Sequence, residues 1–533
     1  VRVTQPPTTV LTPAAAERNR KLLVIAGVLL VLALSAGVRF YALGRPAGYI
    51  FDEVYYAKDA KTIIDGKIGP KYASLSWEPG QEVSWPHPEY GKLAIALGIL
   101  AFGNNAFGWR FVPALAGLGI LCLVYPIARR MGLRRGWALA ALILAASDML
   151  GIAQSRIATL DVFIAVWTVL AVYLTLRYVQ DGHRWYWLLS AGVAAGLAAG
   201  TKWSGAFAML VAVVLVFLFR VRRPTQGLSR GKRMLRALRS AIAPAATLVV
   251  LPVGLYVASY AFYFAAGHTW GQWWELQQQA WYFNIHLSAP HTYASKAPSW
   301  ILDIRPVWYY FKATNATTVY HGVVALGNPL LWWAATLSLA TLPIVAIVDR
   351  DRRLAMPALI VALLYFPWFA ATRTSFLYYM APVAPFMAVL VATALQRLTG
   401  ERQRWPRQRP SEFLAEPAGG HQYVSVLAFV AFALAGAVLW YDIGHGAAYL
   451  FWRLPSHAST IFAYFVSIVV GAIGCTAVAW LVTRVRTAAV WRLLGWAFVG
   501  GVAGIGVAYL PIIIDIGISP AHYYHLMWFQ SWI

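Results

Sequence analysis

Long apolar runs recur between Lys21 and Pro511, and most approach or exceed the roughly 20 residues a helix needs to cross the hydrocarbon core of a bilayer. Amphipathic periodicity is largely absent from them, as expected of helices surrounded by lipid. Only 12% of the 533 residues are charged and 60% are hydrophobic, whereas a soluble domain carries about 25% charged residues. These features predict a polytopic all-α membrane protein. Spans are expected near 22–43, 109–128, 136–154, 161–179, 185–200, 204–220, 240–266, 326–348, 354–371, 376–395, 423–443, 458–482 and 491–514. The first run is too long for a cleaved signal peptide and lacks a small-residue cleavage site, so it is read as a retained span.

The charges sort the loops. One set contains Arg18, Arg20, Arg129, Arg130, Arg134, Arg135 and the basic stretches 220–239, 350–353, 397–409 and 484–492. This set holds 29 of the 44 Lys and Arg residues but only 7 of the 20 Asp and Glu. The positive-inside rule assigns it to the cytoplasm, with the N-terminal tail 1–21. The formal charge of +24 is thus a topology signal and not a nucleic-acid footprint. Cytoplasmic loops are short and carry no phosphate-loop or dinucleotide fingerprint. The Arg- and Pro-rich linker 396–422 separates a module over 22–395 from a C-terminal membrane part, 423–533. Cys122 and Cys475 both lie in apolar runs and read as packing residues.

The extracytoplasmic side holds two long loops, 44–108 and 267–325. In the first, Lys92 to Phe102 is apolar but too short to span, so an interfacial helix is expected there. A second surface helix is expected over Glu53 to Asp65. Asp52 and Glu53 follow the first span directly. Neighbouring side chains on a turn or helix point in different directions, so one carboxylate could act as a general base and the other as a positioning group. An acidic helix N-terminus favoured by the helix dipole reads the same pair equally well. On this same side lie His87 and Lys92 around a proline turn, Arg110 at the start of span two, and Arg156 with Asp161 at the turn between spans three and four. Lys202 stands between spans five and six, Arg305 ends the second long loop, and Arg373 lies near Tyr378 and Tyr379. Singly, each reads as an interfacial snorkelling residue. Together they gather cations and carboxylates at one membrane level, where ionisable groups are costly and usually functional. Cations at the headgroup plane suit a lipid-linked phosphate, the Trp and Tyr around them suit sugar stacking, and a carboxylate could deprotonate an acceptor hydroxyl. These parts describe glycosyl transfer from a lipid phosphate.

In order and spacing the motifs resemble the protein O-mannosyltransferases, a multispanning GT-C glycosyltransferase family. Phe51-Asp52-Glu53 sits at that family's Asp-Glu pair. His87-Pro88-Glu89-Tyr90-Gly91-Lys92 resembles its His-Pro-Pro-Leu-Gly-Lys element, with Glu89-Tyr90 departing from it. Ser155 to Asp161 is similar to its Arg-to-Leu-Asp turn, and Lys202-Trp203-Ser204-Gly205 to its Lys-Trp-x-Gly turn. Pro290 to Lys296, Arg305 to Tyr310, Gly327-Asn328-Pro329, Phe376 to Tyr379 and Met527 to Ile533 resemble later elements. About eleven spans are expected from the family against the thirteen read above; region 421–484 is an accessory helical pair or an over-split run. The second loop is too short for the β-trefoil domain of eukaryotic relatives.

The resemblance implies a polyprenyl-phosphate-mannose donor, Ser or Thr of unfolded or translocating exported proteins as acceptor, and inverting transfer outside the plasma membrane of a bacterium. It implies no metal or other cofactor, and leaves contact with secretion machinery open. Asp52 would be the general base and Glu53 would orient a substrate. Arg305 would stabilise the leaving phosphate, helped by Lys92, Lys202 and Arg110. His87 and Tyr379 would hydrogen-bond phosphate or sugar, and Arg156 with Asp161 would form a structural ion pair. A sister enzyme glycosylating an envelope glycan or lipid is the alternative. A transporter fits less well, because no internal repeat appears and the charges gather on one face.

Overall fold

The structure is a computed structural model that describes residues 13–66, 86–221, 229–314, 319–400 and 488–533. The expected spans at 423–443 and 458–482, most of the basic linker and Cys475 lie outside the described residues.

Seven described helices are long and apolar enough to cross a membrane: Glu17–Phe40, Ala106–Arg130, Asp161–Gln180, Met234–Ala258, Pro329–Val348, Arg353–Ala370 and Val490–Ile512. Four shorter apolar helices, Arg135–Ala146, Trp185–Ala199, Trp203–Phe219 and Ala384–Leu398, coincide with the other expected spans inside the described residues. The run 136–154 is broken: α5 (Arg135–Ala146) ends at Ser147, and Asp148 caps a new helix, α6 (Met149–Gln154), by accepting the Gly151 amide. An acceptor side chain at the N-cap satisfies an amide the helix leaves unpaired.

The span α7 (Asp161–Gln180) is the centre of the bundle, with 72% of its most apolar stretch buried. By contrast α1 (Pro13–Phe40) has 11% buried and exposes Leu22, Leu23, Leu29, Leu30 and Leu34 to the lipid side. The helix α4 (Ala106–Arg130) lies between α1, α7 and α3 (Tyr90–Phe102). The two short helices expected in the first loop are present, as α2 (Glu53–Ile64) and α3. Small residues let α3 approach α4 closely: a Cβ built on Gly98 would stand 2.2 Å from the Gly108 carbonyl oxygen.

To this helical frame the second loop adds an element the periodicity reading omitted, a two-stranded antiparallel hairpin of β1 (Val307–Thr314) and β2 (Val319–Ala325). Aromatic and β-branched residues dominate both strands, as a half-buried pleated surface favours. The register pairs Trp308 with Val324 and Tyr310 with Val323, so Tyr309 falls in a bulge. Such bulges re-aim a side chain next to a site. The hairpin is tied down by Ile518, which pairs with Tyr320, and by Trp532, whose carbonyl accepts from Trp308 Nε1 at 2.9 Å.

Candidate active site

The chain turns sharply into α2: Phe51 adopts a left-handed backbone with φ 46°, an uncommon state for a bulky residue. Asp52 then stands at the N-cap of α2 yet makes no side-chain cap hydrogen bond. Its carboxylate is therefore not spent on a capping hydrogen bond, although its place at the helix N-terminus is one the helix dipole favours. Phe51 packs against Tyr309 at 4.6 Å and edge-on against Tyr378 at 5.7 Å between ring centres. The bulged Tyr309 is in turn held by Gln154 Nε2, which donates to its hydroxyl at 2.7 Å, while Thr159 Oγ1 donates to Gln154 Oε1 at 2.8 Å.

Opposite charges share this pocket. Lys202, in the turn between α8 (Trp185–Ala199) and α9 (Ala206–Val221), reaches both Asp161 oxygens at 3.2 and 3.3 Å. Its ammonium also lies over the Tyr379 ring, 4.4 Å from the centre, and Tyr379 stacks on Trp368 at 4.6 Å. Burial pushes the Asp52 carboxyl up to about 7, with Lys202 opposing the rise and Asp161 adding to it. Burial, then the charges of Lys202, Arg373 and Lys92, hold the His87 imidazole well below its ordinary value, hence neutral. The pocket thus brings together Asp52, Asp161, Lys202, Tyr379 and His87, all anticipated from sequence. It adds Tyr56, Tyr309 and Tyr378. Tyr56 lies on α2 with its ring 6.2 Å from His87.

Other expected site residues occupy supporting positions. Glu53 is fully buried and grips Arg110: Nε donates to Oε1 at 2.7 Å and Nη2 to Oε2 at 2.8 Å. Glu53 also accepts the Ile50 and Ala158 amides, each at 3.0 Å. The remaining Arg110 donors go to the carbonyls of Leu43, Pro46 and Gly48. Five guanidinium donors and both carboxylate oxygens are consumed, so neither residue has a group left for substrate. Their expected substrate roles are corrected to positioning roles. Lys92, expected beside the phosphate, is fully buried and pairs with Asp59 at 3.3 Å and Glu89 at 3.4 Å, fastening α3 to α2.

The expected Arg156–Asp161 pair is also replaced. Arg156 donates to the carbonyls of Val38, Arg39 and Tyr41 at 2.8–2.9 Å, capping the end of α1. Unpaired C-terminal carbonyls attract a cation strongly, which leaves Asp161 to Lys202. Arg305 stays partly exposed and is anchored by carbonyls: Nη2 donates to Thr292 at 2.8 Å and Nη1 to Ser531 at 2.8 Å. Nε adds a longer bond to Thr292, so among the described residues two of its five donors remain open. His291, next to Thr292, packs edge-on against Phe51 at 6.5 Å, which sets Arg305 on the rim of the Asp52 pocket.

The family model for dolichyl-phosphate-mannose-protein mannosyltransferases matches residues 29–267. The C-terminal four-TMM region of protein-O-mannosyltransferases matches residues 269–449, extending past 421 into the region the motifs did not reach. A polyprenol-phosphate-mannose–protein mannosyltransferase of Mycolicibacterium smegmatis is 29% identical over 451 residues, 71% of this chain and 83% of that protein. Its namesake from Mycobacterium tuberculosis is 29% identical over 426 residues, 69% of this chain and 80% of that protein. One from Corynebacterium glutamicum is 26% identical over 432 residues, 68% and 80% of the two chains. Among solved structures, the Saccharomyces cerevisiae protein O-mannosyltransferase Pmt1-Pmt2 complex bound to the sugar donor aligns with a TM-score of 0.64 at 14% identity. That alignment covers 96% of this chain and 92% of that one, and shows a shared GT-C multispanning fold. By two contiguous family matches over 29–449, and by relatives aligned along most of their own length, this chain belongs to the protein O-mannosyltransferase family.

Proposed function

We propose that the protein transfers mannose from a polyprenyl-phosphate-mannose to Ser and Thr hydroxyls of exported proteins, with inversion, at the extracytoplasmic face of a bacterial plasma membrane. The observation that carries the reading is Asp52: an uncommitted carboxylate with its pKa raised to about 7, facing Lys202 and a wall of tyrosines. The named activity of the mycobacterial and corynebacterial relatives supplies the donor and acceptor classes.

In the proposed reaction the acceptor hydroxyl attacks the anomeric carbon and its proton passes to Asp52. The bond from that carbon to the phosphate oxygen breaks, and polyprenyl phosphate leaves with the electron pair. A general base near neutral pH combines availability with driving force. Charge developing on the leaving phosphate is met by fixed donors: Lys202 from within the pocket, and Arg305 from the rim through its two open N–H groups. Neutral His87 and Tyr379 are placed to hydrogen-bond sugar or phosphate, and Tyr379 with Trp368 forms a stacking wall. Acceptors emerging unfolded from a secretion channel would suit a site at this face.

The test is transfer of labelled mannose from polyprenyl-phosphomannose to a Ser/Thr-rich peptide in membranes, wild type against Asp52→Asn. Loss of transfer in a variant that expresses normally is expected. Transfer that survives would remove Asp52 from the mechanism. Labelling of a glycan or lipid but no peptide would replace the protein-acceptor reading with the sister glycosyltransferase.

A further inference from the structure

Below the pocket, at the end of the first span, Arg39 is 1% exposed. Among the described residues its guanidinium makes one hydrogen bond, from Nη1 to the Ser35 carbonyl at 3.3 Å, and Nε meets no partner. An ionised group buried without partners is strongly unfavourable, which is why buried charges are paired or hydrogen-bonded. Asp148, 2% exposed, lines the same space but forms no direct ion pair with Arg39. Its Oδ1 accepts from the Asn328 amide at 3.1 Å and Trp332 Nε1 at 2.8 Å, and its Oδ2 from the Gly151 amide at 3.2 Å. Between the two charges lies a cavity of about 30 Å³, bounded also by Gly117, Ala145, Gln154 and Ala165. Gly117 keeps it open: a Cβ there would stand 2.3 Å from Ser155 Cβ and 3.1 Å from Arg39 Nε.

We propose that this cavity is an internal hydration site, holding ordered water that bridges Arg39 to Asp148. A buried water needs about 10–15 Å³ of such volume and two to four polar partners, so roughly two waters fit. Arg39 supplies unfilled donors, Asp148 Oδ2 supplies an acceptor, and the bridge satisfies a pair too far apart to bond directly. A halide would also suit a guanidinium, but the Asp148 carboxylate on the same cavity opposes a second negative charge. The site matters to the pocket above it because Asp148 caps α6 and Gln154, at the other end of that short helix, holds Tyr309. This inference rests on burial and geometry alone and stands apart from the proposed reaction.

Filling the cavity tests it. In purified, detergent-solubilised protein, Ala165→Val is expected to lower Tm by several degrees, because the added methyl groups expel the water. Ala165→Ser, whose hydroxyl can stand in for a water, is expected to lose less. In an Arg39→Met background, where the charge that needs the water is gone, Ala165→Val should cost little. A higher Tm for Ala165→Val in the wild-type background would mean a dry void and overturn the proposal. An equal loss in both backgrounds would mean simple crowding and do the same. A wild-type Tm that climbs as chloride replaces gluconate at fixed ionic strength would assign a halide instead of water. Should Arg39→Met fail to fold, a density map that resolves ordered water decides directly: density in the cavity supports the bridge and an empty cavity removes it.

Discussion

Asp52 and Glu53 are adjacent in sequence and opposite in use, and the difference lies in what each carboxylate touches. Asp52 must be ionised to accept a proton, so transfer should rise with pH along a limb centred near 7. Lys202→Met removes the charge that opposes the rise, so that limb should move to higher pH, read from kcat against pH. The stability sign runs the other way. A carboxyl raised in the folded state loses stability as pH climbs from its unfolded value near 4 through 7. Asp52→Asn should therefore gain Tm over the wild type at pH 8, and that gain should shrink at pH 5 and vanish below about pH 4, checked by thermal denaturation in detergent. Glu53→Ala strands Arg110 as a buried, unpaired charge, for which the expected cost is about 3–5 kcal/mol; Glu53→Gln keeps acceptor capacity and should cost less in the same assay. Sequence made the acidic pair legible, because two carboxylates directly after a span are conspicuous. It could not assign Arg110 to Glu53: the partner is 57 residues away, and an arginine at a span entrance looks the same whether it holds a phosphate or a buried acid. The same ambiguity coupled Arg156 to Asp161, which are near in sequence, and hid the carbonyl ring at the end of α1.

Among the elements, α3 was readable from length alone, since a run of about twelve apolar residues cannot span. The hairpin is not legible in the sequence, although Val, Trp, Tyr and Thr crowd β1 and Val and Tyr recur in β2: next to so many apolar runs, a short aromatic stretch looks like an interface belt. Its bulge explains why Tyr309 is the tyrosine that faces Phe51 and Gln154. The break between α5 and α6 was hidden for a related reason, because Asp148 interrupts an otherwise apolar run by one residue. The contact of α3 with α4 carries its own prediction. Gly98→Ala forces a methyl against the Gly108 carbonyl, and overpacking of this kind costs about 1–3 kcal/mol. A lower Tm is expected, together with reduced transfer, because α3 bears Lys92 and its bridge to α2.

For the molecule as a whole, the proposed orientation places residue 291 outside and residue 350 inside. In a variant with Cys122 and Cys475 replaced by alanine, an impermeant maleimide should label His291→Cys in intact cells. Arg350→Cys should react only after permeabilisation; the reverse pattern would invert the topology. The helical bundle was legible because lipid imposes it, whereas the closure of the long loops was not, since it depends on distant backbone carbonyls. Three such contacts clasp the second loop: Arg305 Nη1 to Ser531 at 2.8 Å, Trp308 Nε1 to Trp532 at 2.9 Å, and Trp532 Nε1 to Asp303 at 2.8 Å. Trp532→Ala should therefore lower kcat more than it raises the KM for the lipid donor, because Arg305 is proposed to meet charge that develops only as the phosphate leaves. The clasp also has a consequence in time. Ser531 is made 226 residues after Arg305, an interval of about 10–45 s at ordinary rates of synthesis. Until then the rim arginine is held only by the Thr292 carbonyl, and a nascent chain already threaded through the membrane carries an unfinished site. Pulse-labelled chains should stay open to protease around residues 290–305 for that interval and close afterwards, so the site becomes competent only after the segment bearing Ser531 and Trp532 has been made.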